Sequence, residues 1–444
     1  MTRLLRLGGL AFLFGWPSTV CAQDTLTLSQ AIRETISNNR SLQAAHASAR
    51  ETDARARQTR SALFPRVSFV ESWQRGDQPV FVFSSLLSSR RFAAANFAID
   101  SLNSPDPTGF FHSALSIEQV LFDGGRTRAA TASIGLQRDI ASLSADAAAA
   151  GLAVTATETY GRVLAARAAG RAADAAVTSA QEDLTRATLR RDAGTLSDAD
   201  VLSMSLHLAE VRERRIQAAG DEAIAKAQLN RLMGAPIDRE YDAQEPAVPP
   251  QVPRDTQRVD ALFAEAETSR PDLKRAAAAE QLADAGRRQA RAAWYPQLVA
   301  QAGLEANGTR VGDRASSWVA GGELRWSLST GGAELAQRAA AIEAAARARA
   351  EREDARTAAQ VEIVSAQRRL ESARARQAVA RESVDQARES QRIIRDRFDA
   401  GIAGTSDVLR AATAVLDAET RRVSALVDAI VSCAMLDRAT GRRP

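Results

Sequence analysis

The chain has 444 residues, of which 25% are charged and only 5% aromatic, and its formal net charge is +4. So balanced a charge excludes the concentrated basic surface that nucleic acid requires, and we expect no nucleic-acid partner. The only cysteines are Cys21 and Cys433, and His46, His112 and His207 lie far apart. We therefore expect no disulfide, no metal site, no cofactor and no catalytic residue, and we interpret the histidines as ordinary polar residues.

Residues 1–22 resemble a secretory signal peptide. Arg3 and Arg6 precede an apolar stretch at 7–16, and small residues around Cys21 form a cleavage site, so the mature chain should begin near Gln23 with a charge of +2. Lipidation of Cys21 stays open, although Val20 before it is unfavourable. The apolar stretch is too short to span a bilayer, and we find no later stretch long and charge-free enough, so a membrane-spanning chain would use strands.

The sequence contains an internal duplication. It predicts a first repeat at 23–234, a Pro-rich connector at 235–260, a second repeat at 261–441 and a tail at 442–444. Landmarks before and after this region have spacings that differ by 24 residues, so the first repeat contains a loop that is 24 residues longer, between Pro65 and Gly124. Matching landmarks are separated by 231 residues (Leu42 and Leu273, Pro65 and Pro296) or by 207 residues (Gly124 and Gly331, Gly194 and Gly401, Asp200 and Asp407, Gly234 and Gly441).

Each repeat begins with a helix, at 42–64 in the first, followed by two strands. In the second repeat, apolar and polar residues alternate over 297–306 and 318–328, with a polar turn between them around Gly308 and Gly312. The first repeat alternates less cleanly, because Glu71 and Gln119 interrupt its apolar side. Such strands fit either a soluble half-buried sheet or a membrane barrel.

Four strands cannot close a barrel alone, because open sheet edges are not tolerated in lipid. A barrel would need several chains. Three would supply twelve strands, while two or four are also compatible with the count.

Long helices follow the strands in both repeats, at 127–191 and 333–398. Each has about 65 residues without proline, which corresponds to roughly 100 Å at 1.5 Å per residue. They are rich in alanine and poor in large apolar residues, as expected for a wall of helices with a wet face. A filamentous coiled coil would have similar helices.

The long helices end at glycines and are followed by returning helices. Gly194 and Gly401 are natural left-handed stops, and Ser197 and Thr405 are candidate caps for helices that return. The returning helices are predicted at 198–233 and 406–438. Each repeat thus contains a helical hairpin.

In order, duplication and spacing, the sequence resembles the TolC-like outer-membrane efflux proteins over nearly its whole mature length. The resemblance implies an α+β membrane protein with an internal duplication, four strands per chain in a trimeric twelve-stranded barrel, and helical hairpins that form a periplasmic tunnel. The matching stretches are LTLSQA at 26–31, NN at 38–39, VLFDGGR at 120–126, LMG at 232–234, RPDL at 270–273, RFDAG at 397–401 and SDVL at 406–409.

The resemblance also implies a passive export channel in the Gram-negative outer membrane, in contact with outer-membrane lipid. Its partners would be a periplasmic adaptor of the membrane fusion class and an inner-membrane pump of the RND or ABC class. Cargo, pump class and the resting state of the gate are left open by the sequence. The glycine pair at Gly124 is better interpreted as a strand-to-helix corner than as a phosphate loop, since the spaced glycines and lysine are missing.

In such proteins the hairpin tips close the periplasmic mouth. By position, Asp200, Phe398, Asp407 and Arg410 are the implied gate residues. Phe398 stands where a tyrosine often bonds across hairpins, and it lacks the hydroxyl to do so. Asp200 and Asp407 could equally be helix-capping residues. The implied adaptor-docking residues are Gly194, Thr195, Leu196, Ser197, Gly401, Ile402, Ala403 and Gly404.

Two other classes of protein compete with this interpretation. A soluble periplasmic coiled-coil scaffold would have the same helices, with the strands in a small sheet. An Arg-rich helical nucleic-acid binder is disfavoured by the signal peptide and by the near-neutral mature charge.

Overall fold

The computed structural model describes residues 25–246, 258–328 and 330–442. The predicted signal peptide, part of the connector and the end of the tail lie outside these residues. Along the described chain the elements are β1 (Thr25–Leu26), α1 (Leu28–Asn38), α2 (Arg40–Arg60), β2 (Arg66–Gly76), α3 (Pro79–Ser88), α4 (Ile99–Asn103), β3 (Thr108–Phe122), α5 (Arg126–Asp192), α6 (Asp198–Met233), β4 (Asp242–Ala243), α7 (Val259–Ser269), α8 (Pro271–Ala292), β5 (Gln297–Arg310), β6 (Asp313–Arg325), α9 (Ala333–Asp399) and α10 (Thr405–Ala439).

Residues of both repeats contribute to each of two compact units. Among the described residues, the hairpin unit comprises 25–39, 153–246 and 372–431, and the sheet unit comprises 40–152, 258–328, 330–371 and 432–442. The predicted repeat boundaries therefore describe the duplication and do not coincide with the units of packing.

The sheet unit contains four antiparallel strands in the order β2-β3-β5-β6. Their register aligns large apolar side chains across all four strands: Phe69 pairs with Leu115, Leu115 with Leu304, and Leu304 with Trp318. Side chains of one strand alternate between faces, so this row defines an apolar face. The opposite face is polar. It carries Gln301 and the other residues that alternate along each strand with those of the apolar row.

The predicted strands of the second repeat are confirmed, and the predicted turn between them is correct at Gly312 but wrong at Asn307 and Gly308. Arg310 pairs with Asp313, so the turn is a two-residue connection, and Asn307 and Gly308 belong to β5. At the other end β6 stops at Arg325, so Trp326 lies beyond the strand. The longer loop of the first repeat is confirmed between β2 and β3, where it contains α3 and α4.

The helical part of the sheet unit has an aliphatic core built from Leu262, Ile363, Leu370 and Leu436, each at most 1% exposed. Beside it lies Arg270, from the RPDL stretch. Its guanidinium lies 2.6 Å from carboxylate oxygens of both Asp272 and Glu362 and also donates to the Ala439 carbonyl at 2.9 Å. Burial disfavours the charged form, but the two carboxylates outweigh that effect, and the pKa of Arg270 is raised. The stretch thus fixes the end of α10 to the start of α8.

The hairpin unit is built around Tyr160 of α5. β1 and β4 form a short parallel pair beside it, and the Tyr160 hydroxyl lies 2.8 Å from the Leu26 carbonyl oxygen and 2.7 Å from that of Gln244. Burial raises the pKa of Tyr160 to about 12. The phenol therefore holds both short strands against the long helix.

Both predicted helical hairpins, α5 with α6 and α9 with α10, are present. Ser197 caps α6 as predicted, but Thr405 does not cap α10, because it is already the first residue of that helix. The residue before α10 is Gly404, which is 207 residues after Ser197 and so occupies the equivalent position.

The expectation that no later stretch is long and charge-free enough to span a bilayer is contradicted by the composition of α5. An 18-residue window within α5 is apolar and carries few charges, and 28% of that window is buried. Core helices of soluble proteins have the same composition, so the window alone is weak support for a membrane span.

Candidate functional site: the hairpin tips

The tips of both hairpins have the same backbone geometry. In the first, the Thr195 amide donates to the Arg190 carbonyl at 2.9 Å and the Gly194 amide donates to the Arg191 carbonyl at 2.8 Å. This is a Schellman ending, which requires a left-handed residue, and Gly194 has φ +76°. Gly401 repeats both the bonds and the φ value in the second tip. Glycine at these two positions is therefore favoured by the backbone conformation itself, whatever docks there.

The two predicted gate aspartates begin the returning helices. Asp200 forms a capping box with Ser197, whose hydroxyl lies 2.6 Å from the carboxylate. This bond is the main cause that lowers the pKa of Asp200, with a smaller contribution from the nearby Thr405 hydroxyl, which lies outside hydrogen-bond geometry. Asp407 accepts from the Gly404 amide at 3.2 Å. Both aspartates therefore stabilise helix N-termini, and this capping role does not exclude a role at a gate.

Arg410 lies one turn after Asp407 and forms an ion pair with it at 2.6 Å. The arginine side chain is 76% exposed. At the second tip the acidic charge is therefore balanced within the same helix.

Phe398 is 3% exposed and forms a small core with Ala187, Met204 and Val408, which come from both hairpins. The Arg190 guanidinium carbon lies 4.8 Å from the centroid of the Phe398 ring, and Arg190 also donates to the Phe398 carbonyl oxygen. A cation–π contact and a backbone hydrogen bond thus join the hairpins at the position where the sequence lacks a tyrosine hydroxyl.

A buried ion pair forms a second link between the hairpins. Arg395 of α9 lies 3.0 Å from the Asp183 carboxylate of α5, with the side chains 22% and 6% exposed. Arg395 also donates to the Ser179 hydroxyl. A third pair, Arg186 with Asp399 at 3.6 Å, is more exposed and weaker.

The predicted docking residues occupy the two loops. Leu196 and Ala403 are half-buried and pack against the tip core, whereas Ile402 is 68% exposed. The others are exposed: Gly194, Thr195, Ser197, Gly401 and Gly404.

Sequence reasoning missed Arg190, Asp183 and Arg395. Each lies within a long, arginine-rich helix in which the pattern does not distinguish one charged residue from another. The available signal was the position of Arg190 four residues before the glycine stop, where its side chain can reach the neighbouring tip.

The sheet with two outer edges, the long hairpins and the duplication together define a channel-forming protein of the outer-membrane efflux type. The profile of one family, described as outer membrane efflux protein, matches residues 31–235 and 262–442. The chain belongs to this family. Membership places it in the Gram-negative outer membrane as an efflux channel. A search of curated proteins finds no match to the sequence.

Solved structures with the same fold cover nearly the whole chain. The outer membrane protein VceC from Vibrio cholerae is 20% identical, with a TM-score of 0.76 over 94% of this chain and 96% of VceC. The CmeC outer membrane channel of Campylobacter jejuni is 16% identical, with a TM-score of 0.77 over 93% and 85%. A membrane protein from Pseudomonas aeruginosa is 18% identical, with a TM-score of 0.79 over 95% and 91%. At these identities the likeness establishes the fold.

Proposed function

We propose that three copies of the chain form one twelve-stranded barrel that carries cargo passively across the outer membrane. The observation that carries this proposal is the sheet itself. Among the described residues, β2 and β6 form its two edges, and its apolar face is exposed along the full row from Phe69 to Trp318. Unpaired edges in lipid cost several kcal/mol per lost hydrogen bond, so each β6 should pair with the β2 of another copy.

The two faces of the sheet support a lipid side and a water-filled side. The apolar face fits lipid, while the polar face carries Glu118, Gln301 and Glu305 and fits a lumen. Glu71 is an apparent exception on the apolar face. It pairs with Arg314 at 3.0 Å and accepts from the Ser113 hydroxyl, and the Arg314 side chain is 17% exposed. Its charge is thereby compensated locally.

The energy for transport would come from an inner-membrane pump reached through a periplasmic adaptor. Either an RND or an ABC pump is compatible with the chain, and the cargo could be drugs, metal ions or secreted protein. We place the adaptor contact at the tip loops, with Ile402 as its most exposed apolar side chain.

We propose that the same tips form the periplasmic gate. In the closed state, Arg190 and Phe398 would hold the hairpins together, assisted by the Asp183–Arg395 ion pair. Asp200, Asp407 and Arg410 would surround the opening. Because Asp407 pairs with Arg410, Asp200 would contribute more of the acidic charge at the mouth than Asp407 does.

Reconstitution tests the channel and the gate together. The purified protein should run as a heat-modifiable trimer and form ion-conducting pores in planar bilayers. Asp183→Arg should raise the resting conductance, and the charge swap Asp183→Arg with Arg395→Asp should restore the low value. The matched control is Asp396→Arg, because Asp396 pairs with Arg392 within the same helix at 2.9 Å and joins no hairpins. Monomers without conductance would refute the channel, whereas trimers insensitive to Asp183→Arg would refute only this gate.

Adaptor docking needs a variant that leaves the backbone intact. Bulky residues at Gly194 or Gly401 would disturb the left-handed stop itself, so loss of export there would be ambiguous. Ile402→Asp should abolish export while trimer yield and pore conductance stay unchanged. Normal export by this variant would move the docking site away from the second tip.

A further inference from the structure

The long loop of the first repeat, residues 77–107, is a folded structure that we call the exit segment. It contains α3 and α4 and its own aromatic cluster, in which Phe92 lies between Phe83 and Phe97 with ring centroids 4.7 Å and 5.0 Å apart. The segment joins β2 to β3 at the end of the sheet opposite the long helices. It therefore lies at the extracellular end if the helices are periplasmic.

The exit segment packs on the polar face of the sheet. Phe81 of α3 contacts the ring of Phe110 edge-on at 6.2 Å between centroids. Phe110 shares its face with His112, which is hydrogen-bonded at 2.7 Å to Asn307. Asn307 is 1% exposed, although more distant residues of this face, such as Gln301, are exposed. The segment thus covers the lumen side at the outer end of the strands.

Two consecutive arginines fix the exit segment to the β5–β6 hairpin. Arg90 donates to the Ser316 carbonyl at 2.8 Å, and Arg91 lies 3.2 Å from the Asp313 carboxylate and donates to Thr309. Arg90 has φ +55°, the one positive value outside glycine among the described residues. This left-handed conformation ends α3 where glycine would be favoured, so the arginine is retained at some cost in backbone strain.

Four large apolar side chains of the exit segment are exposed in the single chain. Val80 is 82% exposed, Ile99 75%, Phe97 64% and Leu87 50%. A surface of this kind on the water-filled side of a barrel needs an apolar partner. By threefold symmetry, the partner at the barrel axis is the same surface of the other two copies.

Simple geometry shows that three such segments fill the exit. Twelve strands about 4.8 Å apart and tilted by about 40° enclose a ring roughly 24 Å across between backbones. A helix with its side chains is about 10 Å wide, and three touching cylinders of that width need a circle about 22 Å across. The inward side chains of the barrel narrow the ring of roughly 24 Å further, so three segments at this level must contact one another.

We propose that the three exit segments form a plug that closes the extracellular end of the resting channel to large solutes, with their exposed apolar side chains packed against one another at the axis. This inference rests on the proposed trimer and on the assignment of the polar face to the lumen. Export then requires the segments to be released from the β5–β6 hairpins.

Cysteine labelling of intact cells tests the plug. In a Cys433→Ser background, Gln301→Cys places a thiol on the lumen face below the segment. A small charged maleimide should reach it from outside, whereas a polyethylene-glycol maleimide too wide for the plugged bore should not. Labelling by the large reagent reports the open fraction, so Arg90→Gly with Arg91→Ala should raise its rate about tenfold or more. Arg90→Gly also removes the backbone strain, so the effect cannot come from a strained loop.

Controls separate this proposal from the one on which it rests. Arg310→Ala removes an exposed arginine of the same hairpin and should leave labelling unchanged, and every variant should still form heat-resistant trimers. If the large reagent labels the parent and the variant with Arg90→Gly and Arg91→Ala at the same rate, the plug proposal is wrong. No labelling by either reagent in any variant would instead refute the lumen assignment. Ile99→Asp should also open the exit, and unchanged labelling in that variant would refute packing between copies.

Discussion

Arg190 of the first hairpin covers the ring of Phe398 in the second, with its guanidinium carbon 4.8 Å from the ring centroid. Arg190→Ala should remove this cation–π contact and the hydrogen bond to the Phe398 carbonyl, which together contribute about 1–2 kcal/mol. The population of open tips should then rise about 5–30-fold. Single-channel recording in planar bilayers would measure it as open probability.

The neighbouring residue provides the control for this prediction. Arg191 pairs at 2.6 Å with Asp192 and at 3.9 Å with Asp198, all within the first hairpin. Arg191→Ala should leave the open probability near the parent value. If both arginine variants behave alike, the tips are not held by the Arg190–Phe398 contact.

Arg270 should be the most sensitive charged residue of the sheet unit. Its side chain is 6% exposed and bonded to two carboxylates, so Arg270→Ala leaves Asp272 without its cation and Glu362 with only the more distant Arg438, at 3.9 Å. We expect the free energy of unfolding to fall by about 3 kcal/mol. This value is at the low end of the range for breaking a buried ion pair, because both carboxylates retain contact with water. Urea unfolding followed by tryptophan fluorescence would measure the change.

A sequence-matched exposed pair tests whether burial is the cause. Arg258 and Asp260 have the same spacing and lie 3.2 Å apart, but their side chains are 87% and 84% exposed. Arg258→Ala should leave the unfolding midpoint unchanged within experimental error. Comparable losses for the two variants would contradict the role assigned to burial.

The Arg270 pair should also contribute to acid sensitivity. Burial raises the pKa of Asp272, but bonding to Arg270 outweighs it, and the pKa lies below the ordinary 3.8. A depressed carboxyl pKa stabilises the fold above the unfolded value and stops doing so as the pH falls through the folded value. The stability difference between the parent and Arg270→Ala should therefore be full at neutral pH and shrink below about pH 4. A difference that is constant with pH would contradict the prediction.

Tyr160 should ionise only in strong alkali. Its pKa is raised from 10.0 to about 12, so the neutral phenol stabilises the fold below pH 10, and this contribution is lost as the pH rises from 10 to 12. Ultraviolet titration of tyrosinate should show a step near pH 12 in the parent that is missing in Tyr160→Phe. Tyr295→Phe, which changes a tyrosine that is 46% exposed, should keep that step.

Regular features of the fold could be predicted from the sequence because they repeat. The alternation along β5 and β6, the 67-residue helices and the glycine stops each produce a pattern over many residues. The predicted turn between β5 and β6 is correct at Gly312 but begins too early, because Asn307-Gly308 has a strong turn composition. In the structure Asn307 instead pairs with His112 and is covered by the exit segment, a tertiary contact that local composition does not reveal.

The links at the tips could not be predicted for a different reason. Asp183 and Arg395 are 212 residues apart, so they are not equivalent positions of the two repeats. Repetition therefore gives no signal for their contact. Many other arginines in the same helices pair only within their own helix, as Arg392 does with Asp396.

The duplication makes one contact between copies predictable. Within the chain, Gly124 has φ +64°, and a Cβ added to it would lie 2.5 Å from the Tyr295 Cβ. The repeat spacings make Gly331 equivalent to Gly124, and Phe64 equivalent to Tyr295. Gly331 has φ +65° with no described atom within 4 Å of an added Cβ, and Phe64 is 69% exposed. In a closed ring of copies, Gly331 of each chain should therefore receive Phe64 of the next.

Gly331→Ala should for this reason prevent trimer formation although the position is open in a single chain. The added methyl group would clash with the incoming ring, in addition to about 1 kcal/mol of backbone strain in the left-handed region. Gly332→Ala is the matched control: Gly332 has φ +88°, and neither it nor its equivalent Gly125 has an atom within 4 Å of an added Cβ. It should carry the same strain and still assemble. The yield of heat-resistant trimer in outer-membrane fractions measures both variants, and equal yields would show that Phe64 does not pack against Gly331.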